Sequence, residues 1–193
     1  MKKFFKQKNN ISGGFTLIET LVAISIFTMS IVSVMVVISG GISDTNYAKK
    51  KIVAGYLAQE GIEEMRNMRD TSVLYFGATG QIGWDKFVTN IASCLTVNGC
   101  YFDNSEILYS NDNMPIMHVS LPPCNQVCPS IMFDETSGKY EYNPAGVDSG
   151  FNRKITAVHY TPDEIKITST VSWVQGSGVA SVTFSENLFN WTQ

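Results

Sequence analysis

With 193 residues, 44% of them hydrophobic and 16% charged, the chain has room for one domain of ordinary size plus an added segment. Its 14 basic and 17 acidic residues give a net charge of −3, which excludes general nucleic-acid binding by counterion release. A local basic patch stays open, and there is no tandem repeat or low-complexity tail.

Residues 1–14 are polar and basic, carrying Lys2, Lys3, Lys6 and Lys8 and no acid. Asn9-Asn10 and Ser12-Gly13-Gly14 do not continue a helix well, so an extended backbone is predicted up to Gly14. This stretch reads as a leader that takes no part in the fold. Without it the chain holds ten basic against seventeen acidic residues.

From Phe15 to Ile38 run 24 residues, 17 of them apolar. A helix of that length spans about 36 Å, enough to cross a ~30 Å hydrocarbon core with some tilt. The preceding lysines hold its start in the cytoplasm by the positive-inside rule, which places the remainder outside. Glu19 is the single charge within the run. An intramembrane carboxylate costs on the order of 3 kcal/mol, so it points to function. A secretory signal peptide has a shorter apolar region of ~7–15 residues, although Ser39-Gly40-Gly41 could mimic its cleavage site. Neither that reading nor a plain signal anchor accounts for Glu19.

The basic leader, Gly14, the stretch Phe15-Thr16-Leu17-Ile18-Glu19 and the apolar helix together resemble the amino terminus of type IV pilins and type II secretion pseudopilins. The resemblance covers about residues 1–45. It implies cleavage between Gly14 and Phe15 by a prepilin peptidase and N-methylation of Phe15. It also implies that Glu19 helps subunits dock into a helical filament. The implied partners are that peptidase, other pilin or pseudopilin subunits and the inner membrane. Physical reasoning agrees with the carry-over. Cleavage would create an ammonium at Phe15, four residues and one helical turn from Glu19. An anion is also favoured in the first turn by the helix dipole, and the two buried charges should pair within or between chains. Many pilins carry a proline in this helix; here Gly40-Gly41 is the nearest device for local bending.

Residues 40–70 continue as an amphipathic helix ending near Arg69. Ala54, Leu57, Ala58, Gly61, Ile62, Met65 and Met68 recur at helical spacing. The stripe predicts packing on a globular domain. Glu63 with Arg66 and Arg66 with Asp70 are spaced to pair, worth about a few tenths of a kcal/mol each. Glu60 faces Glu63 and Glu64, a mildly repulsive arrangement. The segment from Gln59 to Asp70 looks similar to the matching helix of minor pilins.

Residues 71–130 are predicted as an irregular, variable region, punctuated by Gly77, Gly80, Gly83, Gly99, Pro115, Pro122, Pro123 and Pro129. Tyr101-Phe102 and Ile107-Leu108-Tyr109 read as brief strands or packing anchors. By analogy with the resembled family, the partner-specific surface falls here. All four cysteines do too. An even count in an exported segment favours disulfides, and four cysteines allow three connectivities. Cys94–Cys100 and Cys124–Cys128 is the preferred pairing, since each closes a small loop beside Gly or Pro. Zinc stays open as an alternative. Cys124 and Cys128 fit its usual spacing of roughly two to four intervening residues, whereas Cys94 and Cys100 do not.

Residues 131–193 read as β-sheet. Ile155–Tyr160, Ile165–Trp173 and Val179–Phe184 alternate, with turn compositions at Thr161-Pro162-Asp163 and Gln175-Gly176-Ser177-Gly178. An antiparallel meander is predicted, one face on the helix and the other polar. The ending from Phe184 to Trp191 resembles the last strand of minor pilins. The fold class is α+β: a long amino-terminal helix packed on a carboxy-terminal antiparallel sheet. No catalytic constellation appears. His118 and His159 have no nucleophile motif, and the loop acids lack EF-hand spacing. No enzyme activity, cofactor or resident metal is expected. The predicted role is a structural, minor subunit of a type IV pilus or secretion-like pseudopilus. It would be single-pass in the bacterial inner membrane before assembly, and part of a surface or periplasmic filament afterwards. The alternatives are a membrane-anchored or pilus-delivered adhesin or binding module, and a DNA-uptake pseudopilin.

Overall fold

The computed structural model describes residues 14, 16–76, 80–110 and 114–191. The basic leader before Gly14, and Phe15 itself, lie outside the described residues. The chain divides into two units, Met1–Asn46 and Tyr47–Gln193.

Helix α1 runs Leu17–Tyr75. It passes Gly40-Gly41 without a break and continues six residues beyond the Arg69 end predicted from the sequence. The extension has a packing cause, because Ser72 and Val73 are buried and keep the helix seated. Helix α2 (Gly80–Asn90) follows, then a 3₁₀ turn (Ala92–Leu95). The two form part of the region expected to be irregular. Glycines at 80 and 83 argued against a helix, but Gly83 is required by proximity. A Cβ there would stand 2.6 Å from Val73 Cα and 2.7 Å from Ser72 O, so the helices meet backbone to backbone. Trp84 and Phe87 then bury one face of α2, and Trp84 Nε1 donates to Pro162 O at 2.8 Å.

Strands β1 (Asp103–Ser110) and β2 (Met114–Ser120) form a separate antiparallel ladder. The main sheet has the order β4-β3-β5-β6-β7 and is antiparallel throughout. Its strands are β3 (Ser130–Asp134), β4 (Lys139–Glu141), β5 (Val147–Thr161), β6 (Glu164–Gln175) and β7 (Gly178–Phe189). The meander is as predicted, with longer strands. Gly176 takes φ 59° in the β6–β7 turn, a left-handed conformation suited to glycine.

The α1 stripe covers the inner face of this sheet in two apolar clusters. Ala54, Leu57 and Ala58 meet Ile131, Phe151, Val171 and Trp173. Ile62, Met65 and Met68 meet Ile155, Ala157, Ile165, Ile167 and Leu188, together with Trp84, Phe87 and Phe102. The alternation along β6 buries every second residue from Ile165 to Trp173, as a sheet with one covered face requires. The middle of the chain is stitched onto this core at Cys100. Its N–H donates to Ile155 O and its carbonyl accepts from Ile155 N–H, both at 2.8 Å. The cysteine sulfurs lie at bonding distance in the pairs Cys94–Cys100 and Cys124–Cys128, the connectivity preferred from the sequence. That geometry leaves no described thiolate for zinc.

Candidate functional site

The apolar segment of α1 begins at a cap that the sequence reading overlooked. Thr16 precedes the first helical residue, and Glu19 is three residues on, the spacing of a capping box. Glu19 N–H donates to Thr16 Oγ1 at 3.3 Å and to Thr16 O at 3.1 Å. The sequence held this signal in Thr16-Leu17-Ile18-Glu19. Glu19 therefore has a local reason to stand in the first turn, in addition to the helix dipole. Gly14 and Glu19 are both exposed.

Beyond the cap the segment is apolar and bare. Leu17, Phe27, Met29 and Val37 are each more than 60% exposed. By length and composition α1 is able to cross a membrane. Its polar side chains are compatible with lipid because their protons are used internally. Thr20 donates to Leu17 O, Ser25 to Leu21 O, Thr28 to Ser25 O, Ser30 to Ile26 O and Ser33 to Ser30 O, all at 2.8–2.9 Å.

The second site is a polar seam between the two apolar clusters, and it centres on Arg153. The β5 alternation, carried back from Ala157 and Ile155, puts this residue on the covered face although its charge argues for the surface, and it is only 2% exposed. Its Nη1 donates to Glu60 Oε2 at 2.6 Å and to Leu57 O at 3.1 Å, and its guanidinium lies 3.6 Å from the Phe102 ring centre. Glu60 is thus paired across the helix–sheet contact, and the repulsion with Glu63 and Glu64 does not set its role. Arg66 likewise pairs with Glu63 at 2.6 Å and reaches Glu186 on β7, with Nε 3.2 Å from Oε1. The expected Arg66–Asp70 pair does not form, because Asp70 is taken by Arg69 at 2.7 Å. Burial raises the Glu64 carboxyl above its ordinary pKa, assisted by Glu60 and opposed by Arg153. Burial also pushes the Tyr142 hydroxyl up to about 12, with Arg153 partly offsetting it. A cleft of about 500 Å³ opens beside the seam, lined by Val53, Tyr56, Leu57, Glu60, Lys139, Tyr140 and Glu141. His159 lies exposed at the sheet surface, and no group of three possible metal ligands occurs among the described residues.

Over 68 residues the chain is 34% identical to type II secretion system protein I of Escherichia coli. That match takes in 35% of this chain and 48% of the other, so the likeness spans about half the length of the curated relative. No protein-family model matches the chain, and no solved structure matches it.

Proposed function

We propose that this chain is a non-enzymatic structural subunit of a type II secretion-like pseudopilus or a related type IV pilus, anchored and assembled through α1. The observation that carries the reading is the bare apolar segment opened by the Thr16–Glu19 cap. The partial likeness to a secretion system protein supports it. In this reading a prepilin peptidase cuts between Gly14 and Phe15 and the new Phe15 amine is methylated. Glu19 then meets that ammonium on its own chain or on a neighbour. The subunit sits single-pass in the inner membrane with its start in the cytoplasm, and passes into the filament by packing α1 against other subunits. The large domain suits a minor component.

Helix packing in lipid rests on close contact and polar pairing, since hydrophobic expulsion is absent there. Ala23, Ser25, Thr28, Ser30 and Ser33 are small enough for such contact. The hydroxyls of Ser25, Thr28, Ser30 and Ser33 are already bonded within α1. That leaves Glu19 as the group whose polar demand a partner would meet. Amino-terminal mass spectrometry of the mature protein tests the reading. An N-methylated Phe15 terminus is expected, and a mature chain that keeps Lys2 to Lys8 would refute it. Loss of co-assembly in Glu19→Ala is the matching functional result. A second reading, an anchored binding module, draws on the cleft between Tyr56 and Tyr140. It requires ligand binding that survives loss of assembly.

A further inference from the structure

Asn98 and Gly99 stand side by side in the small loop that the Cys94–Cys100 bridge closes. The fold dictates the glycine. Its φ is 70°, and a Cβ there would stand 2.5 Å from Ile155 O, 3.0 Å from Lys154 Cε and 3.0 Å from Thr156 Cγ2. The asparagine, by contrast, is exposed. This dipeptide has its own chemistry. With no side chain beside it, a glycine amide nitrogen is the least hindered nucleophile that can follow an asparagine. Attack of Gly99 N on Asn98 Cγ forms a C–N bond and closes a succinimide. The Cγ–Nδ2 bond breaks, and the amide proton leaves with Nδ2 as ammonia. Water then opens the ring at either carbonyl, with no change of oxidation state. The product is aspartate at position 98, or isoaspartate, in which the main chain runs through the former side chain.

The native loop withholds the moves that this reaction needs. Attack requires the Gly99 nitrogen to give up its proton and turn towards Asn98. Its N–H instead donates to Thr96 O at 3.0 Å, inside the bridged loop. Thr96 is fixed in turn, since its Oγ1 donates to Ser93 O at 2.8 Å. On the other side Gly99 O accepts from Cys124 N–H at 2.9 Å, and Cys100 exchanges both its backbone groups with Ile155. The Cys94–Cys100 bridge ties the two ends of this turn together, so opening it loosens the Thr96–Gly99 contact. We propose that Asn98 is a self-modifying site gated by that bridge, inert while the loop is closed and converted by Gly99 when it is open. Isoaspartate is the product with a structural effect. It adds a methylene to the main chain immediately before Gly99, where Ile155 O leaves no room, so the loop cannot close as before. It also places a carboxylate next to Val97, whose carbonyl accepts from Lys154 Nζ at 2.9 Å. Position 98 thereby marks any chain that has stayed unbridged. The chemistry is the same whether or not the chain enters a filament.

The test compares three forms of the full chain in detergent: wild type, Cys94→Ala/Cys100→Ala and Cys124→Ala/Cys128→Ala. Each is held in warm, mildly alkaline buffer, with conversion at position 98 read by peptide mass mapping and the fold by near-UV circular dichroism. Conversion should be about tenfold faster in the first double variant than in the other two, the effect of losing an ordinary hydrogen bond or two. Wild type converting as fast as that variant overturns the proposal. So does equally fast conversion in Cys124→Ala/Cys128→Ala with its circular dichroism intact. A second measurement serves if the first double variant unfolds. Wild type is reduced in urea, incubated and returned to oxidising buffer. Molecules with isoaspartate at position 98 should lack the Cys94–Cys100 bridge while Cys124–Cys128 forms again, and Asn98→Ser treated alike should close both. Isoaspartyl chains that close both bridges overturn the proposal.

Discussion

Replacing Gly61 by alanine sets two effects of opposite sign against each other at the contact between α1 and the sheet. Alanine is favoured over glycine in a helix interior by about 1 kcal/mol. The new methyl, however, would lie 2.5 Å from Ser169 Oγ, 3.2 Å from Ser169 Cβ and 3.4 Å from Arg153 Cδ. Ser169 is fully buried and Arg153 nearly so, so neither has open space to move into. Forcing a methylene into such a core costs about 1–3 kcal/mol. The clash should win, leaving a net loss of about 1 kcal/mol, or a fall in Tm of roughly 2–4 °C for a domain of this size. Ser169→Ala removes the offending oxygen, which has no hydrogen-bond partner among the described residues. That single change should be neutral or mildly stabilising. In the double variant the helix gain should reappear, giving a coupling of about 1 kcal/mol or more. Urea unfolding of the full chain in detergent, followed by fluorescence of buried Trp84 and Trp173, reads all four proteins. If Gly61→Ala alone is stabilised by the full helix gain, or if the two changes add, the packing argument is wrong.

Glu60→Ala should destabilise by about 2 kcal/mol or more, because Arg153 would keep its buried charge without its ion-pair partner, with the Leu57 carbonyl and the Phe102 ring still beside it; the same unfolding assay checks this. Glu64→Gln should raise the urea midpoint at neutral pH. A raised carboxyl pKa contributes stability below the ordinary value of 4.5, and that contribution is lost as pH rises through the folded value, so the advantage should shrink in acid. Ultraviolet titration of the tyrosines should show one group ionising near 12, absent in Tyr142→Phe. Mass measurement with and without reductant should find four cysteines in two bridges, and opening either small loop should cost about 2 kcal/mol.

What was legible in the sequence was periodicity. The 3.6-residue stripe from Ala54 to Met68 and the alternation from Ile165 to Trp173 each name the face that is buried. What was hidden depends on contacts between distant parts of the chain. Gly83 looks like a helix breaker until Ser72 and Val73 are placed against it. Arg153 looks like a surface residue until Glu60 and Phe102 arrive from other elements to satisfy it. Arg66 turned from Asp70 to Glu186 because a partner 120 residues away offers its carboxylate from the sheet. Thr16 is a different case: its Thr-x-x-Glu spacing is local and legible, but the helix dipole already accounts for Glu19 without it.

The inward-turned hydroxyls along the early part of α1 have one more consequence under the anchored reading. Because Thr20, Ser25, Thr28, Ser30 and Ser33 each spend their proton on the turn before, that stretch is content among acyl chains without company. Newly made molecules can then wait dispersed in the bilayer, and recruitment is governed by events at Glu19 instead of by stickiness along the whole rod.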